Sequence, residues 1–521
     1  MGTDGQIDFN GILEEIGGFG LVVFSFTGKV PDHRCAVPFC DAPGGEFNFT
    51  ENFNTSLNIF PEACSYWSNS ELVVPSVPTD ASCKEYLSAV ASGVGNVSIS
   101  CDAEDLIYDL KSSVRSSISM EKGWVCGKSQ IQQLVGASYM IGMLVGSFLL
   151  GFLSDMYGRK TALIASVLLV SIPSTIASFA TNVYVFLSSV SSREWYVSLE
   201  YTLLIGVSIE IPFAIGELIL GLEAYFVRDW VSLQLVAYTP LIALLGLWFI
   251  IPESPRWLLS AGKEEEARKV IAQAVEDNGK GDLDLELLLS RHRKSKEGEY
   301  RAEEVKPASF KDMFTPLKMM VRSMNMFYQW FSVTLCYYGL SFASTTLSGD
   351  AYQNFALAVF IEIPAYLVCI LLMDCWGRRP ILSLFQILSG VSCIIAGLLS
   401  VYTDSLRFTI HIFFFLLGKF GGSACFAIVY VYTAELFPTN IRNTAIGICS
   451  CIARIGGVFA FIIELLKAVW GPLPMILVGA SPSWLTIGKS LPETKEDALH
   501  IERDRRRGLL ECTAPWWYKK D

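Results

Sequence analysis

The stretch GFLSDMYGRK, residues 151–160, closes an apolar run that begins at Leu134 and carries almost no charge. Its Asp-x-x-Gly-Arg-Lys sequence recurs in similar form in MDCWGRRP, residues 373–380, again behind an apolar run. The residues of the two copies are Gly151, Asp155, Gly158, Arg159 and Lys160, then Asp374, Gly377, Arg378 and Arg379. One pattern at the end of two apolar runs indicates a structure built from two related halves.

The composition makes a membrane the natural surroundings of this chain. Of its 521 residues, 52% are hydrophobic and only 17% are charged, and the mean hydropathy is +0.41. A helix needs about 20 apolar residues to cross a hydrocarbon core of roughly 30 Å, where it satisfies its own backbone. Nine runs are long enough: 134–153, 161–180, 202–221, 231–251, 323–343, 355–373, 380–402, 408–434 and 444–463. The sequence therefore predicts an all-α polytopic membrane protein.

The first long polar segment, residues 31–132, has the features of an extracellular loop. It holds three Asn-x-Ser/Thr sites at Asn48, Asn54 and Asn96. It also holds six cysteines: Cys35, Cys40, Cys64, Cys83, Cys101 and Cys126. Glycosylation and paired cysteines are both typical of an oxidising, extracellular compartment. Six cysteines allow fifteen pairings, and the spacing does not choose among them.

The second long polar segment, residues 256–318, mixes both signs of charge and has neither cysteines nor glycosylation sites. Basic residues concentrate on cytoplasmic loops of membrane proteins. We therefore place this segment inside, together with Arg159, Lys160, Arg256, Arg378, Arg379, Arg442 and the tail arginines Arg503, Arg505, Arg506 and Arg507.

Two positions on the same side of the membrane, such as Arg159 and Arg256, must be separated by an even number of helices, but only three of the nine runs lie between them. Three shorter apolar stretches, at residues 17–26, 183–190 and 474–488, would complete a total of twelve. We expect these to be helices 1, 4 and 12, apparently truncated. A second repeat, Pro252-Glu253-Ser254 and Pro492-Glu493-Thr494, follows the first at a similar offset, 240 residues against 219. Both repeats predict two bundles of six helices.

The predicted organisation has six parts. They are a cytoplasmic N-terminus with partial helix 1 (1–29), a large extracellular loop (30–132), an N-terminal helix bundle (133–252), a cytoplasmic loop (253–318), a C-terminal helix bundle (319–490) and a cytoplasmic tail (491–521).

In this order of motifs the chain resembles the major facilitator superfamily, and more narrowly the organic cation, carnitine and organic anion transporter family. The resemblance rests on PDHRC (31–35), GFLSDMYGRK (151–160), PESPRWLLSAGK (252–263), YYGLSF (337–342), IEIPAYL (361–367) and ELFPTNIRN (435–443). It implies a major facilitator fold that works by alternating access.

The resemblance also implies that the repeated motif latches the two halves in one state and opens in the other. Physically, an acid such as Asp155 can meet the positive end of a neighbouring helix or an arginine, while the basic residues stay with water and headgroups. The expected latch residues are those of the two copies together with Glu253, Arg256, Glu435 and Arg442. The alternative is that Arg159 and Lys160 only anchor the topology.

Ionisable residues at the middle of a membrane are costly and therefore candidates for function. Glu362 matches the family's acidic position in its span and would pair with a cation, or else form an internal salt bridge. Arg454 stands where relatives that move anions or carnitine carry arginine, or else it partners a nearby acid. The expected substrate-binding residues are Glu362, Arg454 and the aromatic residues Trp330, Tyr337 and Tyr338. Glu210 and Glu217 also lie in an apolar run, and the resemblance gives them no role.

The sequence shows no phosphate-binding loop, no metal-ligand spacing and no nucleophile motif, so we expect neither an enzyme nor a cofactor or metal site. The predicted function is a plasma-membrane solute carrier for organic cations or carnitine-like zwitterions. Its expected partners are a small organic ion and the lipid bilayer. A co-transported ion is a further possible partner, and no nucleic acid is expected. The alternatives are an organic anion transporter, or a non-transporting splice or gene-model variant whose helices 1, 4 and 12 are incomplete.

Overall fold

A computed structural model gives the architecture of this chain. It describes residues 23–31, 33–37, 41, 64–69, 85–86, 96–101, 105–108, 115–179, 210–277, 313–315, 317–347, 349–401, 405–437 and 441–481.

The described chain is mainly helical, as the composition predicts. Its helices are α1 (Ile118–Glu121), α2 (Gln130–Tyr157), α3 (Arg159–Ser178), α4 (Glu210–Phe226), α5 (Trp230–Tyr238), α6 (Pro255–Ser260), α7 (Glu264–Asp277), α8 (Leu317–Thr346), α9 (Ala351–Phe360), α10 (Glu362–Trp376), α11 (Arg378–Leu399), α12 (Ser405–Leu436), α13 (Arg442–Glu464) and α14 (Leu473–Ala480). A 3-10 segment, Thr239–Gly246, and a last turn, Leu247–Ile250, continue α5.

Among the described residues, six segments are long and apolar enough to cross a membrane. They are Arg159–Ser178, Trp230–Ile250, Ala351–Met373, Arg378–Leu399, Thr409–Leu436 and Thr444–Lys467. The nine runs found in the sequence all fall on helices as far as they are described, since 202–221 is seen only from Glu210 onwards. Of the three short stretches, residues 23–27 are helical, α14 spans eight residues and 183–190 lies outside the described chain.

The predicted extracellular loop adds four short strands to this helical fold. Strand β1 (His33–Cys35) pairs antiparallel with β4 (Leu106–Tyr108), and β2 (Ser65–Asn69) pairs antiparallel with β3 (Asn96–Ser100). Asn96 is therefore the first residue of β3, whereas Asn48 and Asn54 lie outside the described residues.

Disulfide bonds and one buried ion pair hold these strands together. Cys35 is joined to Cys101 and Cys64 to Cys126, with Cα atoms 6.0 and 5.5 Å apart. Cys40 and Cys83 are not part of the described chain. Within PDHRC, both terminal nitrogens of Arg34 donate to the Asp41 carboxylate, at 2.6 and 2.7 Å. Since both side chains are nearly inaccessible to water, this bidentate contact fixes the start of the loop.

The repeated motif has the same backbone geometry in both copies. Gly158 separates α2 from α3 with φ 102°, and Gly377 separates α10 from α11 with φ 91°. A side chain is strained at such positive φ values, so glycine is required for the sharp reversal between two helices. The sequence repeat therefore marks two equivalent turns.

Among the described residues, several helix contacts join the two halves. Helix α2 packs on α13, and α4 packs on α9 and α10. At the first contact Gly136 leaves no room for a Cβ because the ring of Phe461 lies against it. Small residues allow such close approach between helices in a membrane. The seam between the halves is therefore closely packed at this point.

Candidate functional site

A break in one long apolar segment positions the first candidate residue. Helix α9 ends at Phe360 and α10 begins at Glu362, although the whole segment is apolar enough for a single span. Pro364 causes this break because it has no N–H to donate to the Phe360 carbonyl and its ring crowds that carbonyl. The carboxylate of Glu362 consequently lies at a helix junction inside the bundle.

Glu362 is fully buried and is saturated by partners from three helices. Its carboxylate lies 2.6 Å from the Lys419 ammonium of α12. The hydroxyl of Tyr366 donates to it at 2.7 Å, and that of Tyr337 donates at 3.1 Å. A buried carboxylate needs such a set of donors to offset the loss of water.

Lys419 was not among the candidates from the sequence, although it lies in the middle of an apolar run and is only 1% exposed. Its ammonium donates to Ser341 at 2.6 Å and lies 3.7 Å from the ring centroid of Tyr337. The cost of a charge at mid-membrane, which singled out Glu362, applies equally to this lysine. This cost would have identified Lys419 from the sequence alone.

The structure bears on both readings of Glu362. The internal salt bridge between helices is present, with Lys419 as its partner. Arg454 is not that partner: on α13, its electrostatic neighbours are Tyr430 and Tyr338. The Nε of Arg454 is buried and has no hydrogen-bond acceptor among the described residues. Glu362 and Arg454 therefore form two separate charge centres.

Aromatic side chains connect the two centres. Tyr337, which donates to Glu362, lies 5.3 Å from Tyr338, the neighbour of Arg454. Trp330 is fully buried, donates its Nε1 hydrogen to Thr433 at 2.8 Å and meets Tyr430 at a centroid distance of 4.4 Å. All three aromatic residues predicted from the sequence thus lie around the charges, and a ring face attracts a cation by about 0.5–2 kcal/mol.

The first copy of the repeated motif is held by Glu253. The carboxylate accepts hydrogen bonds from the backbone N–H groups of Arg159 and Lys160, at 2.9 and 3.1 Å. Glu253 therefore caps the N-terminus of α3, where unpaired N–H groups and the helix dipole favour an anion. A Cβ at Gly158 would collide with this carboxylate. Lys160 itself lies over the ring of Trp248.

The second copy is held by an ion pair between side chains. Arg378 donates from two nitrogens to one oxygen of Glu435, at 2.9 and 3.1 Å, and to the Met373 carbonyl at 3.1 Å. The structure thus brings Glu253 and Glu435 to the two motifs, and their role as a latch stays a prediction. Arg442 lies nearby in sequence at the start of α13, and its Nε is buried with no acceptor in the described chain.

Some predicted latch residues lie beyond what the structure describes. Gly151 belongs to α2 and Arg379 to α11. The side-chain surroundings of Asp155, Arg256 and Asp374 are not part of the described structure. Glu253 caps α3, and the contact expected for Asp155 stays a prediction.

One group of potential metal ligands occurs away from these sites. The ligand atoms of His33, Cys64 and Cys126 lie within 4.8 Å of one another. Because Cys64 and Cys126 are joined to each other, neither offers a thiolate to a metal.

Comparison with known proteins places this geometry in a family context. The family described as "Sugar (and other) transporter" matches residues 86–197 and 201–499. The chain is 30% identical over 476 residues to the organic cation transporter-like protein of Drosophila melanogaster, covering 86% of this chain and 80% of that one. It is 29% identical over 494 residues to the organic cation transporter protein of the same organism, covering 90% and 86%. It is 28% identical over 521 residues to solute carrier family 22 member 2 of Oryctolagus cuniculus, covering 94% and 90%.

Solved structures give the fold. The inward-open xylose transporter XylE from E. coli superimposes with a TM-score of 0.56 at 17% identity, covering 71% of this chain and 88% of that one. Its partially occluded inward-open form gives 0.54 at 16% identity, covering 71% and 89%. At such identities the likeness establishes the major facilitator architecture alone.

Proposed function

The chain belongs to the sugar (and other) transporter family, and from this premise we propose that it moves organic cations or carnitine-like zwitterions across the plasma membrane. It is a multi-pass transporter of the major facilitator fold, related to organic cation transporters. The substrate class is the part that we infer from the site.

The observation that carries the proposal is the pair of separate charge centres joined by aromatic rings. Glu362 offers a carboxylate at one end and Arg454 a guanidinium at the other, with Tyr337 and Tyr338 between them. A zwitterion carries one group for each centre, and the rings suit the apolar body of a quaternary ammonium ion.

Lys419 adds a condition to this scheme. Its ammonium already sits on the Glu362 carboxylate, at the place that a substrate cation would take. A cation from outside must then compete with Lys419 or share the carboxylate with it, and only an interaction that differs between the two arrangements can drive a conformational change. Lys419 would thus act as a built-in substitute for the substrate.

An organic anion is the second candidate, and Arg454 is the observation that favours it. A buried guanidinium nitrogen without an acceptor among the described residues is a costly arrangement that a carboxylate would relieve. A carrier for anions would depend on Arg454 and be indifferent to Glu362.

Uptake by cells that express the full-length chain tests the proposal. Tetraethylammonium, carnitine and benzoate would serve as cationic, zwitterionic and anionic probes. We expect uptake of the first two, and we expect Glu362→Gln combined with Lys419→Met to abolish that of tetraethylammonium. The double variant avoids leaving one buried charge alone. Arg454→Ala should reduce carnitine uptake and spare tetraethylammonium.

Glu464, the last residue of α13, and Lys467, just after it, supply matched controls. Glu464→Gln and Lys467→Ala remove charges of the same kinds from a partly exposed pair at the end of a span and should leave all uptake unchanged. Benzoate uptake that depends on Arg454 alone would favour the anion carrier. Absence of uptake of every probe, with the chain at the cell surface, would contradict the proposed function.

A further inference from the structure

Arg228 lies in the turn between α4 and α5, beside the predicted extracellular loop. Its carbonyl accepts a hydrogen bond from the backbone N–H of Arg115, at 3.2 Å. The next residue, Asp229, forms a β-bridge with Ser116 of the same loop, and its carboxylate accepts from the Ser116 hydroxyl at 2.5 Å. These contacts hold the turn against the loop. The Arg228 side chain is therefore placed at the end of the seam that we predict to face outside.

The guanidinium of Arg228 lies over two tyrosine rings that belong to different halves. Its Cζ atom is 5.2 Å from the ring centroid of Tyr225 on α4 and 5.8 Å from that of Tyr352 on α9. The two ring centroids are 5.8 Å apart, and the ring planes are nearly perpendicular. A ring face attracts a cation that lies within about 6 Å of its centroid. The two rings, which we call the outer tyrosine pair, therefore hold one cation across the seam.

No carboxylate accounts for this position of the guanidinium. Within the described chain, the Arg228 side chain has no ion-pair partner, and its one hydrogen bond runs from Nε to the Tyr225 carbonyl, at 3.2 Å. Asp229 and Asp350, the acids beside the outer tyrosine pair in sequence, cap the N-termini of α5 and α9. The ring faces thus hold the arginine without an opposite charge.

Packing fixes one ring of the pair and leaves the other open to water. Phe26 stacks on the ring of Tyr352 at a centroid distance of 5.2 Å and meets Phe355 edge to face at 5.1 Å. Tyr352 is accordingly buried, whereas 45% of the surface of Tyr225 is exposed. A cation that arrives from water can therefore contact the exposed ring before it displaces the arginine.

We propose that the outer tyrosine pair is a second cation-binding site, separate from Glu362, at which an organic cation from outside takes the place of the Arg228 guanidinium. Ring faces without a carboxylate favour a weakly hydrated cation, such as a quaternary ammonium ion, over a small and strongly hydrated one. They offer no attraction to an anion. Displacement of Arg228 removes the cation that α4 and α9 share, and this end of the seam is loosened. The choice of ligand rests on the proposed function, but binding at the pair can be measured without transport.

Equilibrium binding of radiolabelled tetraethylammonium to the purified full-length protein tests this site in a background without the central charges. Glu362→Gln with Lys419→Met removes those charges, and we expect this double variant to retain saturable binding. Adding Arg228→Gln should tighten the binding severalfold, because the competing guanidinium is gone. Adding Tyr225→Leu should weaken it about two- to fivefold. Adding Tyr225→Phe, which keeps the ring, should leave it unchanged.

Phe226→Leu is the matched control for the loss of a ring. Phe226 follows Tyr225 in sequence and is exposed, but the Arg228 contacts are with Tyr225 and Tyr352. A double variant without saturable binding, or equal effects of Tyr225→Leu and Tyr225→Phe, would overturn the site. If the double variant does not fold, Arg228→Gln and Tyr225→Leu in the otherwise unaltered chain decide the question. They must lower and raise the half-saturating concentration, respectively, and no change in either refutes the site.

Tetraethylammonium uptake by the unaltered chain separates failure of this site from failure of the proposed function. Uptake that depends on Glu362, with no binding in the double variant, would overturn the outer site and leave the cation carrier intact. Binding at the outer tyrosine pair without uptake of any probe would support the site and contradict the proposed transport. Absence of both binding and uptake would refute both.

Discussion

At the scale of single residues, the cost of burying charge decides which side chains belong together. Glu362 and Lys419 have 0% and 1% of their side chains exposed. Such a pair gains little over an apolar replacement, but removal of one partner leaves the other charge stranded. The sequence identified the acid because it matched a family position, and it missed the base because no such match drew attention to it. The physical rule was the same for both.

We predict that single substitutions of Glu362 or Lys419 lower the stability of the protein and that matched double substitutions restore it. Glu362→Gln or Lys419→Met alone should destabilise the protein by about 3–5 kcal/mol, because an unpaired charge remains in the core. The charge-swapped variant Glu362→Lys with Lys419→Glu should recover much of this loss, as should the doubly neutral variant. Thermal unfolding of the purified protein measures the effect. Lys467→Met, at a partly exposed pair with Glu464, is the control and should cost no more than about 1 kcal/mol.

At the scale of helices, special residues at helix ends account for most of what could be predicted. The glycines of the repeat mark the turns between α2 and α3 and between α10 and α11, because glycine adopts a positive φ without the strain that a side chain would cause. Pro364 explains why α9 and α10 are separate although hydropathy alone predicts one span. The partners of the repeat were predicted as a set that included Glu253 and Glu435. Which acid caps a helix and which pairs with an arginine depends on tertiary placement, and no local pattern contains that information.

We predict that Glu253 and Glu435 control the rate of transport more than the amount of protein. Glu253→Ala removes the cap from α3, a loss of about 0.5–2 kcal/mol for caps of this kind. Glu435→Gln removes the charge that faces Arg378. If the two contacts close one end of the pathway, both variants should lower the initial uptake rate per molecule at the cell surface.

Glu266, an exposed residue of α7, provides the control for this experiment. Glu266→Gln disrupts only an exposed contact with Lys263 and should leave uptake unchanged. Normal rates in both Glu253→Ala and Glu435→Gln, measured against surface biotinylation, would show that the repeated motif only anchors the topology.

At the scale of the whole molecule, apolar runs and repeats are sufficient for the architecture because the bilayer allows few alternatives. The mostly helical major facilitator fold was therefore predicted correctly, whereas the boundaries of the two halves stay a prediction. The four strands of the first polar segment were not, because they are short, lie between cysteines and depend on bonds such as Cys35–Cys101 whose pairing the spacing leaves open. Contacts across the seam, such as that of Gly136 with Phe461, required the folded arrangement of both halves.

The orientation of the molecule in the membrane gives the last prediction. We expect residues 31–132 outside and residues 256–318 inside, because disulfides and glycosylation sites mark one segment and dense basic charge marks the other. Treatment with an N-glycosidase should lower the apparent mass of the protein from expressing cells. Substituting Asn48, Asn54 and Asn96 together with glutamine should abolish that shift. An epitope inserted within residues 278–300 should be reached by antibody only after permeabilisation. A tag that is accessible in intact cells, together with a mass that the enzyme leaves unchanged, would mean that the molecule is inserted the other way. The roles of the two ends of the seam would then be reversed.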